Sequence, residues 1–192
     1  AHNNQMRQFL VTIVVLANLT LILSVSLAFA GQNDNRLKIL FDRLQETQDQ
    51  NEARSIESTI WKIWIENKDD KVNQAMLIGI TLMNDGQLEV ALKNFSEVIR
   101  LAPDFSEGWN KRATVYYLMK KFDQSVKDIA QTLRLEPRHF GALSGLGLIN
   151  QAIGQTGAAI KAYEQALGLN PHLFGLKEKI ERLKNLLYGR ET

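Results

Sequence analysis

Two short helical patterns open the chain beyond residue 30. Leu37, Leu40, Phe41 and Leu44 follow i, i+3, i+4, i+7 spacing, and so do Ile56, Ile60 and Ile63, with Trp61 and Trp64 beside them. That spacing gathers apolar side chains on one face of an α-helix. Further along, apolar runs close three times on related phrases, "IRLAPDF", "LRLEPRHF" and "LGLNPHLF". The three prolines, Pro103, Pro137 and Pro171, stand 34 residues apart. Proline disfavours helical geometry in the residue before it and starts a helix readily, so each one marks where one helix stops and the next begins. A repeat of fixed period follows, with units at 72–105, 106–139 and 140–173.

Inside each unit the residue sizes alternate as a helical hairpin requires. Position 8 holds Gly79, Ala113 and Gly147, and position 20 holds Ala91, Ser125 and Ala159, small residues where two backbones must approach. Position 24 holds Phe95, Ile129 and Tyr163, and position 27 holds Val98, Thr132 and Ala166, which fill the gap. Ala75, Trp109 and Leu143 recur at position 4, and Leu82, Tyr116 and Asn150 at position 11. The turn glycines Gly86 and Gly154 are matched in the middle unit by Lys120, and Asp123 is expected to cap the helix after it.

Period, spacing and closing proline together resemble the tetratricopeptide repeat. The resemblance implies an all-α solenoid of three helix-turn-helix repeats. Phe41, Leu44, Trp61 and Trp64 fall in the same frame, but Gln45 and Glu57 occupy its two close-approach positions. Residues 31–71 are therefore expected to form an amino-terminal helix pair, a degenerate repeat or a cap, joined to the array through "ENKDDK". Residues 174–192, with Leu176, Ile180, Leu183 and Leu187 on one face, are expected to cap the far end, where the last repeat would otherwise expose apolar surface. The phrases "SEGWNKRATVYYLM" and "LEPRHFGALSGLGLI", behind a tryptophan-rich helix, also resemble small exported repeat proteins of alphaproteobacteria, some associated with cell-envelope integrity.

Residues 1–30 read differently. The chain is uncharged from Gln8 to Asn33, and Ala28-Phe29-Ala30 has the small-x-small form of a signal-peptidase site. A cleaved signal peptide and a periplasmic location are expected. The alternative is an uncleaved inner-membrane anchor over residues 9–28, long enough to span a bilayer, with the repeats in the periplasm.

With 45% hydrophobic and 23% charged residues the chain has the means to bury a core. A formal charge of +2 gives no electrostatic case for nucleic-acid binding. The absence of cysteine excludes disulfides, thiolate metal sites and a cysteine nucleophile. Enzyme motifs fail individually. Gly145 and Gly147 lack the third glycine of a dinucleotide fingerprint, since Asn150 stands there, and no strand precedes them. "GALSG" is not a nucleophile elbow. His2, His139 and His172 are scattered and read as solvated or capping residues, not metal ligands. Glu178 and Glu181 interleave with lysines as a solvated helix face does, and Trp61, Trp64 and Trp109 read as core. No catalytic residue, metal or cofactor is expected.

What remains is a groove. By analogy with the family, positions 2, 5, 9 and 12 of each first helix line a concave surface. These are Asn73, Met76, Ile80 and Met83 in the first unit, Glu107, Asn110, Thr114 and Tyr117 in the second, and Gly141, Ser144, Leu148 and Gln151 in the third. Lys111 stands beside them, ready for an acidic group. Thioethers, a tyrosine and amides suit a protein or peptide ligand. Co-chaperone members of the family hold a terminal carboxylate with basic and asparagine side chains, and here Met76 and Ile80 replace two of these, which argues against such a clamp. The function expected is a non-catalytic adaptor of the bacterial cell envelope, holding a protein segment in the groove. The alternative is a membrane-anchored structural or assembly subunit working through its convex face.

Overall fold

The computed structural model describes residues 31–189, so the signal or anchor expected over residues 1–30 lies outside the described residues. After a 3-10 turn at Gly31–Asn33 come nine α-helices among the described residues: α1 Arg36–Glu46, α2 Gln50–Ile65, α3 Asp70–Asn84, α4 Leu88–Leu101, α5 Ser106–Leu118, α6 Phe122–Leu135, α7 Phe140–Ala152, α8 Thr156–Leu169 and α9 Leu176–Tyr188. None of them is long and apolar enough to cross a membrane. Helices α3/α4, α5/α6 and α7/α8 are the three hairpins of the repeat, and α9 packs on α8.

The prolines act as the pattern requires. Helices α4, α6 and α8 end at Leu101, Leu135 and Leu169, each two residues before its proline. Between the helices of each hairpin the chain turns through a left-handed residue, Gly86 at φ 74° and Gly154 at φ 77°, and Lys120 at φ 58°. Lys120 carries a Cβ there, a strain of about 1 kcal/mol that the two glycines avoid. Asp123 does not cap α6: Lys121 precedes that helix without a side-chain cap, and Asp123 lies exposed in the first turn, where its charge still faces the positive end of the helix dipole.

Between hairpins, the Arg112 guanidinium grips Asp128 with two bonds of 2.7 and 2.9 Å and reaches Ser96 at 3.3 Å, joining α4, α5 and α6. Trp109, expected in the core, is half-buried; its Nε1 donates to the Pro103 carbonyl at 2.9 Å, and Arg112 lies over its ring.

The expected amino-terminal helix pair is present as α1 and α2, but it is not a further repeat of the stack. It does not stack ahead of the first repeat as another unit would. Among the described residues, the repeat 1 core takes only Ile65 from it. The hairpin folds back instead, and Leu37, Phe41, Leu44, Ile60 and Trp64 join one core cluster with Phe140, Tyr163 and Ile180 of repeat 3 and the cap. The polar residues at its close-approach positions explain the choice. Gln45 Nε2 donates to the Gly168 and Leu169 carbonyls, each at 2.8 Å, and Glu57 accepts from Asn170 Nδ2 at 3.0 Å. A stacked unit would bury those groups against apolar surface, at a cost of roughly 1–3 kcal/mol each without partners.

At the other end Leu176, Ile180 and Leu183 of α9 are buried, while Leu187, expected on the same face, is exposed.

Candidate peptide-binding groove

The first helices of repeats 2 and 3, α5 and α7, lie side by side and bring six sequence-predicted residues to one cleft. Asn110, Thr114 and Tyr117 form one wall, Gly141, Ser144 and Leu148 the other, and Ser125 and Ile129 of α6 close the bottom. Tyr117 is held in place by Phe122, with ring centroids 5.9 Å apart. The cleft measures about 180 Å³. Small-molecule and cofactor sites run to roughly 300–1,000 Å³, so this one has room for a side chain of a longer ligand.

At one end of the cleft, by the amino-terminal ends of α5 and α7, the surface is already covered. Gly141 lies under Trp61 of α2, so close that a Cβ on it would come within 2.4 Å of the indole. The Lys111 ammonium sits 5.5 Å from the centre of the same ring. Trp64 lies flat on the His139 imidazole, 4.2 Å between centroids and 11° between planes. Helix α2 therefore occupies part of the face expected to bind a partner.

Beneath these rings is a buried polar network. Glu107 is fully buried. Its Oε1 meets the Lys111 ammonium at 3.0 Å, and its Oε2 accepts from Asn110 Nδ2 at 3.0 Å and faces His139 Nε2 at 2.8 Å. His139 Nδ1 accepts the Ala142 backbone N–H at 3.1 Å, which places the imidazole proton on Nε2, donated to Glu107. Burial opposes ionisation of Glu107, but the Lys111 charge and the His139 hydrogen bond outweigh it and hold the carboxyl down at about 2.

Several expected site residues thus have other duties. Glu107 and Lys111 belong to the buried network, so Lys111 is engaged by Glu107 and Trp61. His139 is a helix cap but wholly buried rather than solvated. His172 is half-buried, its Nδ1 3.2 Å from Gln50 Nε2.

In repeat 1, Met76 does not face the groove. It is 2% exposed and shares a core cluster with Phe105 and Val115, because the flexible thioether fills the space against the next hairpin. Asn73 braces the linker, exchanging two bonds with the Asn67 backbone at 2.8 and 2.7 Å. Ile80 and Met83 are half-buried against the same core. In repeat 3, Gln151 is exposed and accepts the Tyr163 hydroxyl at 3.2 Å; burial pushes that phenol up to about 12.

Helical spacing alone does not place Trp61, Trp64 and His139 on this face; two aromatics three positions apart on an otherwise amphipathic helix are the signal in the sequence. Among the described residues no group of three His, Asp or Glu side chains is placed to hold a metal ion.

Stacked hairpins with a cleft between their first helices define an α-solenoid. The chain belongs to the tetratricopeptide repeat family. The family model described as "Tetratricopeptide repeat" matches residues 111–173. A TPR repeat-containing protein of Rhizobium etli is 34% identical over 157 residues, 82% of this chain and 77% of that one. The small glutamine-rich tetratricopeptide repeat-containing protein 2 of Saccharomyces cerevisiae is 26% identical over 73% of this chain, which spans 40% of its length. Among solved structures, the first TPR of Spaghetti (RPAP3) bound to the HSP90 peptide SRMEEVD aligns with a TM-score of 0.59 and 22% identity, over 64% of this chain and 98% of that one. The TPR2B domain of yeast Sti1 in complex with pHsp70 aligns with a TM-score of 0.55 and 19% identity, over 60% of this chain and 94% of that one.

Proposed function

We propose that the protein is a non-catalytic adaptor that holds a segment of another protein on the face made by its first helices. The observation that carries this reading is the cleft between α5 and α7, of side-chain size and lined by both apolar groups and hydrogen-bonding side chains. An apolar side chain of the bound segment enters beside Tyr117 and Leu148, while Thr114 and Ser144 offer hydroxyls to its backbone. The peptide complexes of Spaghetti and Sti1 support peptide capture on such a scaffold. Here the burial of Met76 and the engagement of Lys111 by Glu107 favour a ligand held by its side chains over one held by a terminal carboxylate.

A photo-crosslinker at Ser144 identifies the segment held in cells. Tyr117→Ala, which empties one wall, and Ser144→Leu, which fills the cleft, are expected to weaken capture of that segment at least tenfold. The free energy of unfolding should shift by no more than about 1 kcal/mol, as both residues are half-buried. Unchanged capture would move the site elsewhere, to the convex face first.

We further propose that the adaptor works in the bacterial cell envelope: residues 1–30 direct export, cleavage follows Ala30, and the repeats act in the periplasm. The charge-free stretch from Gln8 to Asn33 and the Ala-Phe-Ala ending support this. The same length of apolar chain supports the second reading, an inner-membrane anchor over residues 9–28. The mass of the native protein decides between them. A chain beginning at Gly31 is expected, and a membrane-bound chain that retains residues 9–28 would overturn cleavage.

A further inference from the structure

The α1–α2 hairpin meets the array as one protein meets another. At the centre of the contact Phe41, Trp61, Trp64 and Phe140 pack together, with neighbouring ring centroids between 5.0 and 6.2 Å apart. Around them runs a polar rim: Gln45 on the carbonyls that end α8, Glu57 on Asn170, and Gln50 on His172. An aromatic centre inside a hydrogen-bonded polar rim is the anatomy of an interface between partners. Two details add to this. Trp64 Nε1 is buried without an acceptor among the described residues. The hairpin is joined to repeat 1 through only the short segment 66–69, braced by Asn67 and Asn73.

We propose that this hairpin is an intramolecular ligand, and that its seat on repeats 2 and 3 accepts in its place an amphipathic helix of a partner protein carrying two aromatic residues three positions apart. The proposal rests on the adaptor reading above and supplies the class of segment bound. Three devices read the rings. The missing Cβ of Gly141 leaves a hollow for the first ring, and Lys111 offers that ring a cation. The His139 imidazole, fixed between Ala142 and Glu107, is a flat plate for the second ring. A short tether keeps the chain's own helix at a local concentration in the millimolar range. A partner therefore gains access by outcompeting α2 or by acting when the hairpin opens.

The test uses the full chain and a fluorescent peptide of residues 48–67 as the stand-in helix. Trp61→Ala loosens the hairpin from its half-buried side and leaves Trp64 in the core. The peptide is expected to bind the Trp61→Ala chain at least tenfold more tightly than the unaltered chain, and a peptide with both tryptophans replaced by alanine to bind neither. Equal binding to both chains, or binding to neither, overturns the proposal. Hydrogen exchange on the unaltered chain gives a second reading: amides of residues 53–65 are expected to exchange at least tenfold faster than those of α7 and α8, and equal protection overturns it. If the peptide fails while Tyr117→Ala and Ser144→Leu still abolish partner capture, the hairpin proposal falls and the adaptor reading stands.

Discussion

Replacing Glu107 by alanine is expected to lower the free energy of unfolding by about 3–5 kcal/mol, the usual penalty for removing one partner of a buried ion pair. The loss has a definite origin. Without the carboxylate, the Asn110 amide and the His139 Nε2 proton have no acceptor, and Lys111 is left under Trp61 with an uncompensated charge. The wild-type protein should also show an acid signature that the variant lacks. The folded state holds this carboxyl at about 2, against an ordinary 4.5 in the unfolded chain. A depressed folded value means that the stabilisation is fully present above about pH 4.5 and disappears as the pH falls toward 2. The loss is about 2 kcal/mol at pH 3 and reaches about 3 kcal/mol near pH 2. Urea titrations at pH 7 and pH 3 measure both effects. Equal acid sensitivity of the two proteins would show that the ion pair contributes nothing to folding.

Gly147→Ala should destabilise the third hairpin by about 2 kcal/mol, even though alanine is the better helix former by about 1 kcal/mol. A Cβ at Gly147 would stand 2.3 Å from the Tyr163 ring, itself fully buried and unable to step aside. The first repeat repeats the pairing, with Gly79 against the Phe95 ring at 2.7 Å. In the second repeat Ala113 faces Ile129, and the pair shares one core cluster. An aromatic residue at the second position thus demands glycine at the first, and a branched aliphatic one admits alanine. Adding Tyr163→Ile to Gly147→Ala should therefore recover most of the loss. The double-mutant cycle is expected to show a coupling of about 2 kcal/mol, and strict additivity of the urea midpoints would refute the pairing.

Those paired positions also show what could be read without coordinates. Gly79, Ala113 and Gly147, with Phe95, Ile129 and Tyr163, express contacts only sixteen residues apart in the chain, and local contacts leave a periodic trace. The three prolines and the apolar stripe of α9 are legible for the same reason. The route of the amino-terminal hairpin is not. Gln45 and Glu57 look like defects in a repeat frame, and become intelligible only when their partners appear beyond residue 167, at the far end of the array. Glu107 and Asn110 occupy positions that face solvent or ligand in an open groove. Here they are bound into one network with Lys111 and His139, over which Trp61 and Trp64 lie, brought in from another part of the chain. Met76 leaves the groove for a related reason: its frame position points inward, but its unbranched side chain turns back into the neighbouring hairpin.

The return of the hairpin has a consequence for how the molecule assembles. An open solenoid is a line of neighbours, in which order can start at any unit and spread outward. Here Gln45 is bonded to Leu169, 124 residues away in the chain, so the ends are tied to each other and the line becomes a loop. Contacts of such long separation slow folding, because the entropy of closing the chain must be overcome before they form. When the hairpin lifts, the loop reverts to an open line, and repeat 3 keeps only its contacts with repeat 2 and α9.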